Sequence, residues 1–541
     1  MHFTLKFILP SLLTMMIFSS CLKEKLVDTP ITAIYSQKPS DINLQISGMY
    51  AQLSGFSCFK NAVITPLILS ADNFSGTQGD AAVFSQKLYT PQSRYFVEPW
   101  NTCYAVINNA NTLLKYLESA DASVEFKSKT KSELQFLRGF SYFLMVRMFG
   151  GVPLRTEPIN ASSDFYLPRN SVDEVYRQVL QDFEQAAAGL PLYRQQAAAE
   201  FGNCTKGAAQ SIAALAYLTY GNYQDLNNNA SGAQTSYRKA RDWADSVILS
   251  NQYRLLPNYA DLWDITKERA AYEEVIFGFQ YTRDPGASLA SSLGSEIGTW
   301  TRPNGQWRIQ PWFYDRMISG DYLNDYRSEV AFTTRFLNTV NNRITVTYPR
   351  IPATGELTLT QPFLNKFVDP APLDNRNYEN DFPVIRYAEL LLIKAEAENE
   401  INGPNVAALA AFNQLRTRAR NTNGTVRATP TSLTATGLTK ETFRRKIFDE
   451  RGLELVGEGQ RWFDLVRMRA PNGKTMYEQL YASELLPFTN GLPVFNTTNR
   501  TWVGGRIAPN TKVAFEAKYL LFPIPTSEVG INPKMTQNPG Y

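Results

Sequence analysis

Between positions 450 and 467 the chain sets Glu450, Arg451, Glu454, Glu458, Arg461 and Asp464 at helical spacing. Paired carboxylates are the equipment of glycoside hydrolysis, one serving as acid and the other as base or nucleophile. The same spacing also suits a structural role. Glu450 and Glu454 lie one helical turn apart, flanked by Arg451 and Arg461, which predicts ion pairs that fix this helix and the following turn. Trp462 and Phe463 would pack beneath them. Arg386 and Glu396, in an otherwise apolar stretch, are predicted to form a partnered core pair.

A second constellation, GTWTRPNGQWR, carries Trp300 and Trp307 with Arg302, Asn304 and Arg308 beside them. No helical period claims either ring. Flat aromatic faces stack on the apolar faces of sugar rings while guanidinium and amide groups take the hydroxyls. This stretch is therefore the first candidate for ligand contact. Trp100 and Trp312 stand at the start of helical stretches and read as structural.

What is missing narrows the chemistry further. The only histidine, His2, lies in a leader made of Lys6, an almost uncharged apolar run over 7–18, and then Ser19, Ser20 and Cys21. That pattern predicts an export signal. The run is too short to span a bilayer, which takes ~20 apolar residues, and small residues before a cysteine suit lipoprotein cleavage, with Cys21 as the acylated N-terminus. Cleavage would remove the one imidazole, and with it Ser-His-Asp and Cys-His catalysis and His-ligated metal sites. Cys58, Cys103 and Cys204 remain, in no metal-ligand spacing, and allow at most one disulfide. No Asp-rich loop has calcium spacing, so neither metal nor cofactor is expected.

The formal charge is +4 on 541 residues and falls by one with Lys6. That is far too little for a nucleic-acid footprint. Mean hydropathy is -0.28, and no later stretch is apolar enough to span a bilayer, so the chain is expected to be anchored to a membrane, not embedded in it. The 28 Tyr, 32 Phe and 8 Trp exceed what a core alone requires, which leaves rings for a ligand.

The elements that must position these groups are mostly helical. Residues 132–148 are apolar nearly all round and predict a buried helix, stopped by Gly150, Gly151 and Pro153. From Ser171, Val172, Val175, Tyr176, Val179 and Phe183 recur on one face, and Ser171 with Glu174 spells a capping box. An alanine-rich helix with Ala208, Ile212, Leu215 and Leu218 follows, then another with Tyr237, Ala240, Ala244 and Val247. Two further helices, over 385–399 and 406–418, flank Gly403 and Pro404. Such pairs are what stacked tetratricopeptide-like units need, since small residues let neighbouring helices approach closely. Residues 253–381 are irregular, with strand-like runs at 275–279 and 344–348, and residues 470–519 are irregular with turn signals at Asn490-Gly491 and Gly504-Gly505. Loops on a rigid scaffold are where binding usually resides.

Six segments in this order resemble the SusD/RagB family: LRGFSYFLMVRMFGGVPL from Leu137, RNSVDEVYRQVLQDFEQAAAGLP from Arg169, TKGAAQSIAALAYLTYGNY from Thr205, VIRYAELLLIKAEAENE from Val384, ERGLELVGEGQRWFDLVRM from Glu450, and IPTSEVGINPKMTQNPGY from Ile524. The resemblance implies a mostly α, SusD-like fold in which tetratricopeptide-like helix pairs support an irregular, loop-rich binding region. It implies a signal peptide at 1–20 and one unit over 21–541, in halves of about 21–250 and 251–541. It also implies a non-catalytic lipoprotein of the outer membrane, facing the cell exterior, that captures oligosaccharide or polysaccharide and delivers it to a TonB-dependent (SusC/RagA-like) transporter. Lys23, Glu24 and Lys25 stand just after the lipidated cysteine, where surface-exported members are often acidic. Family members place ligand contacts near Trp300 and Trp307 and on an early loop, which here contains Asp72 and Asn73 and, later, Arg94 and Tyr95. Tyr281 is a further candidate. Two other readings stay open: a peptide- or protein-binding partner of the transporter with little glycan affinity, and a carboxylate-dependent glycosidase, which needs no histidine.

Overall fold

The structure is a computed structural model that describes residues 38–160, 162–282, 305–338, 342–371 and 378–541. Its N-terminal half is a run of helices: α1 (Pro39–Ser54), α2 (Ile64–Leu69), α3 (Gly79–Ser85), α4 (Arg94–Tyr116), α5 (Val124–Phe149), α6 (Val172–Gly189), α7 (Lys206–Leu226) and α8 (Ala230–Leu249). Successive members from α4 to α8 pack on one another, which is the stacked-hairpin arrangement.

Local chemistry sets the helix limits. The capping box of α6 is formed in both directions, with the Glu174 amide donating to Ser171 Oγ at 3.2 Å and the Ser171 amide donating to Glu174 Oε2 at 2.7 Å. Helix α5 starts eight residues before the apolar run, at Val124, because Ser123 Oγ caps the Phe126 amide and the polar first turns face solvent. It ends at Gly150, whose φ of 77° suits glycine. Helix α7 lies close to its neighbours through small residues. A Cβ on Gly221 would sit 2.7 Å from the Tyr237 ring, and one on Gly207 would sit 2.5 Å from Tyr253.

The chain returns to helices at α9 (Tyr387–Asn402), α10 (Val406–Ala419), α11 (Lys440–Glu454) and α12 (Arg461–Arg467). Helix α9 packs on both α8 and α10, so the late helical hairpin extends the early stack. A contiguous apolar core runs from Ile42 to Met535 and draws on both halves. The described strands form two- and three-stranded pieces only. Short β1 (Phe74–Gly76) pairs antiparallel with β3 (Trp307–Ile309), and β2 (Val275–Phe279) with β4 (Phe382–Arg386). The turn signals at Asn490-Gly491 and Gly504-Gly505 prove not to be the reversals of their segment. A hairpin of Gly491–Asn496 with Thr501–Ile507 reverses between those strands, and Gly505 lets the Gly491 carbonyl approach closely across it.

Candidate functional site

The carboxylates of 450–464 are buried and matched to cations, and Glu450, Glu454 and Glu458 take theirs from other elements and not from the arginines beside them in sequence. Glu450 lies 2.6 Å from Arg327 and accepts from Arg416 at 3.2 Å. Glu454 accepts from Arg418 at 2.6 Å, Arg327 at 3.0 Å and Arg386 at 3.1 Å, and Glu458 accepts from Lys366 and Arg386 at 2.8 Å. Arg386 also holds Glu274, at 2.8 Å, so its partner is not Glu396, which instead pairs with Arg467 on α12. Arg451 turns the other way, to Glu389 at 2.8 Å and Asp464 at 2.7 Å. Burial works to raise the Glu454 carboxyl, but Arg418, Arg386, Arg327 and Lys366 hold it well below the usual carboxylate range. A carboxylate so tightly matched is a poor general acid.

The predicted contact residues fall in three places. Trp300, Arg302 and Asn304, like the lipidation candidate Cys21, lie outside the described residues. Trp307 lies on β3 opposite Gly76 of β1, and that ladder buries the ring to 3% exposure. Asp72 is buried and accepts from Arg461 Nε and Nη2, each at 2.8 Å, while the Trp312 indole donates to its carbonyl. Asn73 is buried beside it, and neither atom of its side-chain amide finds a hydrogen-bond partner. The buried Tyr281 hydroxyl donates to the Ser54 carbonyl at 2.8 Å. The ladder thus joins the early loop to the segment that follows residue 304. Thr77 N donates to the Gln306 carbonyl at 3.0 Å, so Tyr281 and Gln306 are both held on the N-terminal region.

Arg94 and Tyr95 open α4 at an exposed cluster. Arg94 Nη2 donates to Asn61 Oδ1 and to the Tyr95 hydroxyl, both at 2.8 Å, and Tyr95 in turn donates to Asp80 at 3.1 Å. The guanidinium carbon lies 4.1 Å from the centre of the Tyr95 ring and 5.0 Å from that of Phe56, which is 49% exposed. Glu98 closes the group at 3.4 Å. Burial and the Asp80 carboxylate, against the opposing pull of Arg94, push the Tyr95 hydroxyl up to about 12, so it remains a donor. The group combines an open aromatic face, carboxylates and a guanidinium, the mixture that sugar hydroxyls and ring faces require. Phe56, Asp80 and Glu98 had no sequence signal beyond a lone apolar residue in the SGFS turn and acids near loop ends. Among the described residues no His, Cys, Asp and Glu group could hold a metal ion, and no helix is long and apolar enough to cross a membrane. Cys58, Cys103 and Cys204 are buried free thiols.

Comparison with known proteins converges on the same architecture. A profile described as "SusD family" matches residues 274–541, and one described as "Starch-binding associating with outer membrane" matches residues 41–218. The chain belongs to the SusD/RagB family. A SusD-like protein of Formosa agariphila is 25% identical over 85% of this chain and 90% of the relative. The starch-binding protein SusD of Bacteroides thetaiotaomicron is 24% identical over 76% of this chain and 73% of its own length. The crystal structure of a SusD homologue from Bacteroides thetaiotaomicron superimposes with a TM-score of 0.78 over 94% of this chain and 98% of that chain, at 20% identity. A laminarin-binding SusD-like protein superimposes at 0.68 over 94% of this chain and 100% of that chain, at 23% identity. The mostly helical SusD/RagB architecture is thereby the fold of this protein.

Proposed function

We propose that the protein is a non-catalytic glycan-binding lipoprotein of the outer membrane, held by an acylated Cys21 at the cell exterior, that passes oligosaccharide or polysaccharide to a TonB-dependent transporter. The observation that carries this reading is membership of a family in which one relative is named for starch and another for laminarin. The description of the matching profile supports the outer-membrane location.

Glycan binds, in this reading, to the face of Phe56, Asp80, Arg94 and Glu98 together with the segment 283–304 that carries Trp300, Arg302 and Asn304. Asp72, Asn73, Tyr95, Tyr281 and Trp307 act from beneath, as the floor that fixes this face. The buried ion pairs of Glu450, Glu454 and Asp464 favour binding over hydrolysis.

Calorimetry of the mature protein across a glycan panel tests the reading, with Trp300→Ala and Arg94→Ala as site variants. Saturable binding weakened by both variants is expected. Binding to no glycan, with co-purification of a transporter barrel, would replace it with the protein-binding role.

A further inference from the structure

A cavity of about 490 Å³ opens between α5, α6 and α7 on one side and residues 463–478 and 515–521 on the other. It shares no residue with the Phe56–Arg94 face. Its volume falls within the 300–1,000 Å³ typical of small-molecule sites. Tyr176, Tyr223, Phe463, Phe515 and Leu520 make its walls largely apolar and aromatic. Such walls lack the dense amides and acids that a sugar would need.

One wall carries Arg147 of α5. Its guanidinium is stacked between Phe143 and Phe463, 4.1 Å from the centre of each ring. Among the described residues it has no ion pair or hydrogen bond, and its Nε is buried without an acceptor. The nearby carboxylates are already committed. Asp464 is held by Arg451 and Arg467, both at 2.7 Å, Glu389 by Arg451 at 2.8 Å, and Glu396 by Arg467 at 2.5 Å. Three guanidiniums thus face three carboxylates, and Arg147 alone of the three touches none. Burial lowers Arg147 only to about 10, so it is a cation at neutral pH. A half-buried cation without an anionic partner is costly, and an anion delivered to it forms the stronger, charge-assisted class of hydrogen bond. Lys474 at the exposed rim adds attraction for an incoming anion, tempered by Glu478.

We propose that this cavity binds an amphipathic organic carboxylate, with its anionic end on Arg147 and its apolar body among Tyr176, Tyr223, Phe515 and Leu520. Arg467 also lines the cavity but is already paired with Glu396 and Asp464, so the one guanidinium left without a carboxylate fits a monoanion, and the aromatic walls fit an aryl or medium-chain alkyl body. The site is independent of glycan capture, so either can fail without the other.

The test is calorimetry of the mature chain with 3-phenylpropionate and with its neutral amide, 3-phenylpropanamide. The acid is expected to bind at least about tenfold more tightly than the amide, the discrimination that one charge-assisted hydrogen bond supplies. Arg147→Gln should remove that preference, and Leu226→Trp, which fills the cavity from its edge, should remove binding of both. Equal binding of acid and amide would overturn the assignment, as would no saturable binding of the acid. Both of those outcomes are measured on the unsubstituted protein, so they stand even where a variant fails to fold.

Discussion

Asp72 and Arg461, 389 positions apart in sequence, close a two-pronged pair at 2.8 Å per contact. The pair ties the early loop to the first residue of α12, and both side chains are buried. Asp72→Ala would strand the Arg461 guanidinium, a change that costs about 3–5 kcal/mol when one partner of a buried pair is removed. Urea unfolding should show the lowered midpoint. Replacing both residues by apolar side chains should cost less than the sum of the single changes.

The exposed cluster should behave in the opposite way. Phe56→Ala and Arg94→Ala are expected to weaken glycan binding by roughly 3- to 10-fold, or ~0.7–1.4 kcal/mol, with melting temperature almost unchanged for Phe56→Ala and modestly lowered for Arg94→Ala, which leaves the buried Asn61 without its donor. Parallel calorimetry and thermal melts separate the two effects. Unaltered affinity in both variants would remove this face from the site.

Close approach of α7 and α8 rests on the missing side chain of Gly221. Its Cβ would meet the buried Tyr237 ring at 2.7 Å, and overpacking of this kind costs about 1–3 kcal/mol. Gly221→Ala should therefore lower the unfolding midpoint without touching ligand affinity. Gly320→Ala gives a contrasting case, since nothing lies within reach there and the cost would come from its φ of 55° alone.

Stability should fall as the pH rises from about 5 to 7. Burial, reinforced by the Asp381 carboxylate, raises Glu268 to about 8, and burial raises Asp381 to about 6. Unfolded carboxyls titrate near ~4, so the folded protein holds extra protons between those values. The stabilisation is complete below the unfolded values and is lost as the pH climbs through the folded ones. Lys87, lowered to about 7 by burial, acts with the opposite sign, and only above that pH. Melting temperature measured across this range should decline, and Glu268→Gln should flatten the slope.

Much of this architecture was legible in the amino-acid order, and the exceptions have a common physical origin. The α6 capping box, the apolar α5, the small-residue face of α7 and the run at 275–279 are local signals, and each became the element it predicted. Ion-pair partners are not local. Glu454 could have met Arg451 or Arg461 by spacing, yet it meets Arg327, Arg386 and Arg418, which other elements bring to it. Trp307 carries no helical period because a strand buries it, and its partner Gly76 lies more than two hundred residues earlier. The Phe56–Asp80–Arg94 group exists only once α1, α3 and α4 are folded together.

Capture of glycan without cleavage can be checked in a single experiment. Protein beginning after Cys21 is titrated calorimetrically with starch-type and laminarin-type glucans and other polysaccharides, and the same mixtures are then analysed by chromatography for chain length. Saturable binding to at least one glycan, with chain lengths unchanged, is the predicted result. Shortened products, or no binding by the protein either alone or with its transporter, would contradict it.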